Sequence, residues 1–231
     1  MRILHIDDDK PFLMNVKTAL TREGFAVDSV SDPKEGLQLA KENVYDIILL
    51  DIGMPMINGL EALQTLRHDG QVVGIFMVSG QTGDEFKVQA FEAGADDYLT
   101  KPFLFKLLVT RMRAWLKRRD NFLASRSSIS ELTAGPIKME FSRRQVTVDG
   151  RSVLLTPKEF MMLEYMLRNT GRIVTQTSLA QAIWSIDYET GTNVVEVHMN
   201  RLRKKIDEPG KPSFIQTVRG SGYLMEKDPS S

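Results

Sequence analysis

The chain has no cysteine among its 231 residues. Disulfide bridges, thiolate metal sites and cysteine nucleophiles are therefore excluded, and the absence fits a reducing compartment. No apolar run approaches the roughly 20 residues of a membrane-spanning helix, and the start of the chain turns acidic too soon for a signal peptide. We expect a cytoplasmic protein with no membrane partner, whose chemistry depends on other side chains.

The sequence also lacks a net charge, because 30 Lys and Arg balance 30 Asp and Glu. The balance hides an asymmetry: residues 1–120 hold 15 basic and 18 acidic residues, whereas residues 121–231 hold 15 and 12. A difference this small does not indicate a nucleic-acid partner, so the placement of the basic residues has to decide. The length favours two domains of modest size.

Short apolar runs alternate with amphipathic stretches along the first half of the chain. The runs are residues 3–6, 25–30, 47–50, 75–78 and 98–99. The third and fourth runs are continuously apolar, as in parallel strands that helices cover on both faces. The pattern predicts a doubly wound α/β domain, (βα)5, over residues 1–119.

Polar residues follow four of the five predicted strands. They are Asp7 and Asp8, Asp51, Ser79, and Lys101. Because ligands bind such sheets at the carboxyl ends of the strands, we expect these side chains to share one crevice. Carboxylates gathered in one place suit Mg2+, which takes oxygen ligands and favours phosphate partners. With the cation, Lys101 and Ser79 stabilising the phosphoryl oxygens, Asp51 is the predicted phosphoacceptor.

Each of these residues also has a plainer interpretation. An aspartate after a strand is often a helix cap, which is the role we assign to Asp9 before Pro11, and a Lys-Pro pair is usually a turn. Five suitable residue types at the ends of predicted strands nevertheless favour a phosphoacceptor site.

These motifs resemble the receiver domain of bacterial response regulators. The likeness is carried by the acidic pair at residues 7–8, LLDIGMPMINGLE at residues 49–61, SG at residues 79–80 and GADDYLTKPF at residues 94–103. The resemblance implies phosphorylation of Asp51 by a sensor histidine kinase.

The resemblance also implies roles for neighbouring residues. Asp8, Asp51 and the carbonyl of Gly53 would bind Mg2+ directly, and Asp7 would act through water. Ser79 and Tyr98 would form a switch pair, with the hydroxyl moving to the phosphoryl group and the ring turning inward. The peptide bond between residues 101 and 102 would be cis.

By the same resemblance, the receiver would form a homodimer with ion pairs from Asp96, Asp97 and Arg111. Receivers of this family usually carry a glutamate at the position of Leu107, where it pairs with a basic residue such as Lys87. Because leucine stands there instead, we expect a more apolar dimer face that depends less on phosphorylation.

The chain changes character after residue 119. Residues 120–134 (DNFLASRSSISELTA) are rich in serine, lack clear periodicity and predict a linker. A second, α+β domain is predicted over residues 135–226, followed by a tail at residues 227–231.

The second domain begins with residues that alternate in polarity. Residues 137–141 and 145–155 predict short antiparallel strands, with a hairpin turn at residues 149–150 (DG). Residues 156–159 (TPKE) supply a cap, a first-turn proline and a capping-box glutamate, which predict a helix.

A helix predicted over residues 192–207 (TNVVEVHMNRLRKKID) has two distinct faces. The face expected to be buried contains Val195, Met199, Leu202 and Ile206. The opposite face contains Asn193, Val197, Asn200, Arg201 and Lys204. Such a helix could enter the major groove with Asn200, Arg201 and Lys204 at base edges.

The element after this helix strengthens the DNA-binding interpretation, since a basic helix alone is usually a solvated face. Residues 214–225 (FIQTVRGSGYLM) predict a hairpin with Arg219 at its tip, placed to reach a minor groove. A hairpin, three helices and a second hairpin form a winged helix-turn-helix, and the segment resembles the OmpR/PhoB-type effector domain. The resemblance implies phosphate contacts from His198, Arg203, Thr217 and Tyr223.

The function predicted from sequence is phosphorylation-controlled regulation of transcription. The regulator would bind double-stranded DNA at paired half-sites as a homodimer. RNA polymerase would be a further partner, and the protein would not be an enzyme. A haloacid-dehalogenase-like phosphohydrolase fits poorly, because it needs an aspartate where Gly53 stands. The alternative that stays open is a DNA-binding regulator controlled by concentration or constitutive dimerisation, with a weakly used phosphosite.

Overall fold

The structure, a computed structural model, describes residues 1–71, 73–124, 130–184 and 194–226, with the backbone alone for residues 118–124. The chain divides into two compact units, Met1–Leu116 and Lys117–Ser231. Across the described ranges, no helix combines the length and apolar character needed to cross a membrane. The predicted tail at residues 227–231 lies outside the described residues.

Five strands and five helices alternate from the start of the chain, which confirms the (βα)5 prediction. The strands are β1 (Arg2–Ile6), β2 (Ala26–Val30), β3 (Ile47–Asp51), β4 (Gly74–Ser79) and β5 (Asp97–Thr100). The helices are α1 (Lys10–Arg22), α2 (Pro33–Glu42), α3 (Gly59–His68), α4 (Asp84–Ala93) and α5 (Phe105–Ala124). The strands form one parallel sheet in the order β2-β1-β3-β4-β5.

Local sequence signals set the limits of these elements. Asp9 caps α1, with its side chain accepting a hydrogen bond of 2.9 Å from the backbone N–H of Phe12, which confirms the role assigned to Asp9. Helix α4 ends at Gly94, whose φ of 118° is in the left-handed region that glycine tolerates. Every residue of β3 and β4 is buried, as expected for central strands of a parallel sheet.

The second unit contains two antiparallel sheets and three helices within the described residues. A four-stranded sheet is formed by β6 (Glu131–Ala134), β7 (Ile137–Glu140), β8 (Gln145–Val148) and β9 (Arg151–Val153). The helices are α6 (Pro157–Arg168), α7 (Gln176–Trp184) and α8 (Val194–Ile206). A three-stranded sheet has the order β10 (Ile173–Val174), β12 (Gly222–Met225) and β11 (Ile215–Val218).

The predicted linker at residues 120–134 is partly wrong. Helix α5 continues to Ala124, and β6 occupies the last four positions of that stretch. Strand β6 pairs with β7, with Leu132 opposite Met139. A strand this short has little periodicity of its own, so its conformation depends on a neighbour that the local sequence does not reveal.

Two signals for the helices of the second unit are confirmed. Thr156 and Glu159 form a complete capping box at the start of α6. The predicted inner face of α8 is buried, and its members are Val195, Met199, Leu202 and Ile206. The period of the apolar residues therefore orients α8 correctly in the domain.

We expect Gly74→Ala to destabilise the receiver unit by about 1 to 3 kcal/mol, the range for overpacking a core. A Cβ at this position would lie 2.5 Å from Cζ2 of Trp115, whose ring is buried. Gly80→Ala is the matched control, because its added Cβ would have no neighbour within 4 Å. Urea unfolding followed by tryptophan fluorescence should separate the two variants; equal stability would contradict the packing argument.

Candidate functional site

The carboxyl edge of the parallel sheet gathers the polar residues that were predicted to share a crevice. Strand β1 lies beside β3, so Asp7, which follows β1, stands next to Asp51 at the end of β3. Both side chains are buried. Asp8 is exposed beside them.

Lys101 joins the two buried aspartates. Its ammonium Nζ lies 2.6 Å from Oδ2 of Asp7 and 2.9 Å from Oδ1 of Asp51. The other carboxylate oxygen of Asp51 accepts a hydrogen bond of 2.5 Å from the backbone N–H of Gly53. The peptide bond between Lys101 and Pro102 is cis, as the resemblance implied.

Charge and burial act in opposite directions on this cluster. Burial raises the pKa of Asp51, and the charge of Asp7 adds to that rise, whereas hydrogen bonds from Lys101 and Gly53 only partly oppose it. Burial also acts to raise the pKa of Asp7, but the neighbouring His5 and Lys101 outweigh it and the net pKa is lowered. Burial acts to lower the pKa of Lys101, yet the two carboxylates raise it overall.

The lowered pKa of Asp7 makes the contribution of this one carboxylate to stability depend on pH. Because the folded pKa lies below the unfolded one, the stabilisation from this carboxylate is present above the unfolded pKa. It is lost as pH falls through the folded pKa.

Two residues that sequence reasoning missed, Phe12 and His5, pack against the charge cluster. Nζ of Lys101 lies 4.1 Å from the centre of the Phe12 ring, within the range of a cation–π contact. The buried His5 ring packs edge-on against Phe12, and its Nε2 lies 3.7 Å from Oδ2 of Asp7. The signal was present, since both residues flank the acidic run, but an aromatic residue in an amphipathic helix usually indicates only core packing.

The predicted switch residues meet at one backbone position. The Ser79 hydroxyl accepts a hydrogen bond of 3.1 Å from the N–H of Gln81, and the Tyr98 hydroxyl donates one of 3.1 Å to the carbonyl of Gln81. The Tyr98 side chain is buried, and burial raises its pKa. The hydroxyls of Ser79 and Tyr98 thus both bond to Gln81.

The donor set fits a hard divalent cation. Within the described ranges, no three acidic or histidine side chains stand together closely enough to hold a metal by themselves. Mg2+ does not need such a cage, because it keeps several waters and takes one or two carboxylates together with a phosphate. Asp7 and Asp51 already converge on one positive charge, that of Lys101.

The ion pairs implied for a receiver dimer are arranged within the chain. Asp96 is buried and accepts hydrogen bonds of 2.6 Å from Nη2 of Arg67 and 2.9 Å from the N–H of Ile75, so its implied place at a dimer surface is wrong. Arg111 lies 2.7 Å from Asp97. A core partner elsewhere in the chain explains the position of Asp96, and an isolated motif cannot reveal such a partner.

Lys87, which was expected to lack its usual glutamate partner, has a partner within the chain. Its Nζ lies 3.3 Å from Oδ1 of Asp84, one turn earlier in α4. Leu107, where the family usually has glutamate, is half-buried.

The predicted DNA contacts differ in their accessibility. Four are exposed: Asn200, Lys204, Thr217 and Arg219. Three are buried: Val197, His198 and Tyr223. The remaining two, Arg201 and Arg203, are partly exposed.

The burial of three predicted contacts requires a correction. His198 is 1% exposed, and the centre of its ring lies 5.1 Å from that of Trp184. Tyr223 is 2% exposed, with its hydroxyl accepting a 3.4 Å hydrogen bond from Gln176. Because a DNA contact needs an accessible atom, the buried side chains of His198, Tyr223 and Val197 do not fit that role.

A buried carboxylate holds two cations of α8. Glu159 is fully buried, and its Oε2 lies 2.6 Å from Nζ of Lys205. Its Oε1 lies 3.3 Å from Nε of Arg201, whose side chain is 15% exposed. Arg201, predicted at a base edge, is thus directed at least in part toward α6.

Arg203 is directed toward the second hairpin, β11 and β12. Its Nε donates to the carbonyl of Ile215 at 2.8 Å, and its Nη2 donates to the hydroxyl of Thr217 at 2.9 Å. Its guanidinium carbon lies 5.5 Å from the centre of the Tyr223 ring. Arg219 is exposed at the tip, where the N–H of Ser221 bonds to the carbonyl of Val218.

Comparisons with known sequences match each of the two units to a family. The family described as "Response regulator receiver domain" matches residues 3–113. The family described as "Transcriptional regulatory protein, C terminal" matches residues 150–225. The two matches contain the acidic cluster and α8 with its hairpin, respectively.

Similar proteins match along nearly the whole chain. The transcriptional regulatory protein PcoR of Escherichia coli is 34% identical over 225 residues, which cover 97% of each chain. The response regulator MprA of Mycobacterium avium is 34% identical over 232 residues, covering 99% of this chain and all of that one. A mutant of RitR has a similar structure, with a TM-score of 0.81 at 25% identity over 97% of this chain and 98% of that one.

We expect opposite shifts in the pKa of Asp51 from two neighbouring substitutions. Asp7→Asn removes a like charge and should lower this pKa, whereas Lys101→Met removes a hydrogen bond and a positive charge and should raise it. Carboxyl 13C NMR titration in metal-free buffer measures both shifts. Asp8→Asn is the control for an exposed carboxylate, and shifts of the same sign in the first two variants would contradict the assignment.

Proposed function

We propose a function from the premise that this chain belongs to the OmpR/PhoB-type response regulators, which join a receiver domain to a C-terminal DNA-binding domain. The chain would accept a phosphoryl group on Asp51 from a sensor histidine kinase and regulate transcription in response. The observation that carries the proposal is the Lys101 ammonium, which lies within hydrogen-bonding distance of both Asp7 and Asp51.

The transfer would place a phosphoryl group on a carboxylate that is already oriented. An oxygen of Asp51 would attack the phosphorus of the donor phosphohistidine, so that a P–O bond forms as the P–N bond breaks. Hydrogen bonds from Lys101 and Gly53 hold the carboxylate in place. The ammonium would also neutralise part of the charge on the phosphoryl oxygens.

The metal requirement follows from the same charges. Asp7, Asp8, Asp51 and the carbonyl of Gly53 are the groups that would hold Mg2+, with Asp7 acting through water. When bound, Mg2+ would supply the positive charge that lets an anionic donor approach this acidic cluster.

DNA recognition would depend on the exposed part of the second unit. Asn200 and Lys204 lie on the exposed face of α8, and Thr217 and Arg219 lie on the hairpin. We assign base reading to α8 in the major groove, and phosphate or minor-groove contact to the hairpin. Arg201 remains a candidate base contact despite its ion pair with Glu159.

The regulator would act as a homodimer through its receiver. A symmetric dimer would bind half-sites about one helical turn apart. The apolar Leu107 and the pairing of Lys87 with Asp84 support a dimer face with less dependence on phosphorylation. RNA polymerase would be a further partner of this transcription regulator. The proposal includes no enzymatic turnover of a substrate.

We expect the full chain to gain one phosphoryl group when incubated with Mg2+ and acetyl phosphate, and Asp51→Asn to gain none. Intact-mass spectrometry reads the result directly. Asp9→Asn is the matched control, because Asp9 caps α1 and should leave the adduct unchanged.

Chelation of Mg2+ should prevent the adduct on the wild-type chain. An adduct on both the wild type and Asp51→Asn would place the phosphoryl group elsewhere. No adduct on the wild type would contradict this part of the proposal and favour a regulator controlled by concentration.

We expect two substitutions on α8 to affect DNA binding differently. Asn200→Ala should cost about 1 to 3 kcal/mol on a duplex selected from a random pool and little on a scrambled duplex, because it removes base reading. Lys204→Ala should weaken both complexes and reduce the salt dependence of binding, because it removes a positive charge from the face of α8 that would enter the groove.

Binding titrations at several salt concentrations measure both effects. Lys34→Ala, which removes an exposed cation of the receiver unit, controls for net charge. Equal loss on selected and scrambled DNA for Asn200→Ala would remove this residue from base recognition.

A further inference from the structure

Arg203 connects α8 to the second hairpin through both strands of that hairpin. Its two hydrogen bonds reach Ile215 and Thr217 on β11, and its guanidinium lies over the ring of Tyr223 on β12. Thr217 and Tyr223 are directly opposite each other in the antiparallel pair. The guanidinium thus contacts a cross-strand pair, which fixes the hairpin relative to the helix.

The position of this contact matters for the tip of the hairpin. Arg219 is two residues beyond Thr217 along β11 and its turn, and it is exposed. The hairpin has other contacts as well, since the N–H of Phe214 donates to Asp207 at 3.1 Å and β12 pairs with β10 at Tyr223 and Leu224. Arg203 adds a contact from α8 to β11.

The Thr217 hydroxyl can serve two partners at once. A hydroxyl has one hydrogen to donate and two lone pairs that accept. Its oxygen accepts from Arg203, so the hydroxyl hydrogen can still be donated to another group. An exposed hydroxyl that is held in this way is suited to donate to a DNA phosphate oxygen.

We propose that Arg203 is a positioning residue that holds the hairpin against α8 and orients the Thr217 hydroxyl, so that Thr217 and Arg219 contact DNA together with α8. This inference rests on the proposed DNA binding. It replaces a direct phosphate contact by Arg203, because both donating nitrogens seen in the structure are directed toward the hairpin. Because the hairpin would already be held before DNA binds, less conformational entropy would be lost on binding.

A double-mutant cycle in the full chain tests the proposal on the duplex selected from the random pool. Arg203→Gln alone should weaken binding about tenfold, but less than about threefold when Arg219→Ala is already present, because residues that act as a unit are non-additive. A direct phosphate contact by Arg203 would instead give additive losses. In the Arg219→Ala background, Arg203→Gln should also leave the salt slope unchanged.

Two substitutions of Thr217 refine the test. Thr217→Val keeps the shape and removes the hydroxyl, so it should be non-additive with Arg203→Gln. Thr217→Ser keeps the hydroxyl and should bind DNA within about threefold of wild type. Additive losses for Thr217→Val and Arg203→Gln would overturn the proposal.

Hydrogen exchange of the free full-length protein gives a readout that does not require DNA. Arg203→Gln should speed exchange at backbone amides of β11 and β12 while the amides of α8 keep their protection. Unchanged exchange in the hairpin would overturn the positioning role even if DNA affinity falls. Failure of the wild type to bind any duplex would instead contradict the proposed DNA binding, and the exchange result would still decide whether Arg203 holds the hairpin.

Discussion

The receiver unit depends on one charge arrangement, in which the Lys101 ammonium lies between the buried carboxylates of Asp7 and Asp51. The parallel sheet brings these two aspartates to the same edge, where their mutual repulsion and their loss of water both disfavour ionisation. The cation offsets that cost, and the Phe12 ring lies over its other side. The site therefore combines an ionisable carboxylate with a fixed positive charge, which the proposed phosphoryl transfer to Asp51 would need.

The second unit uses the same principle for a different purpose. Glu159 is buried, and two cations of α8, Lys205 and Arg201, surround it. Removing one partner of such a cluster leaves an uncompensated buried charge, which is unfavourable. The cluster therefore favours one position of α8 against α6. Arg203 makes the corresponding connection on the side of the hairpin. Basic residues of α8 thus hold this helix in the domain, and the helix also carries residues proposed to contact DNA.

The sequence predicted the elements that local periodicity determines, and it predicted the convergence of Asp7, Asp51 and Lys101, because strand ends meet at one edge in any parallel sheet. It did not predict where long polar side chains point. His198 was expected at a phosphate and lies buried against Trp184. Helical spacing gives the angular position of such a residue, but its partner comes from a segment distant in the chain. The roles proposed for the exposed DNA contacts and for the metal ligands remain predictions.

The geometry around Gln81 indicates how charge at Asp51 could reach Tyr98. A phosphoryl group on Asp51 would add close to two negative charges at the edge of the sheet where Ser79 ends β4. The Ser79 hydroxyl now accepts from the N–H of Gln81, and the carbonyl of the same residue accepts from Tyr98. A rotation of Ser79 toward the phosphoryl oxygens would change one hydrogen bond of Gln81 and thereby the orientation of its carbonyl. Tyr98 is buried and its hydroxyl donates to that carbonyl. A reorientation of the carbonyl would therefore change the hydrogen bond that holds the tyrosine ring. Such a coupling would need no long pathway, since both hydroxyls bond to the same residue.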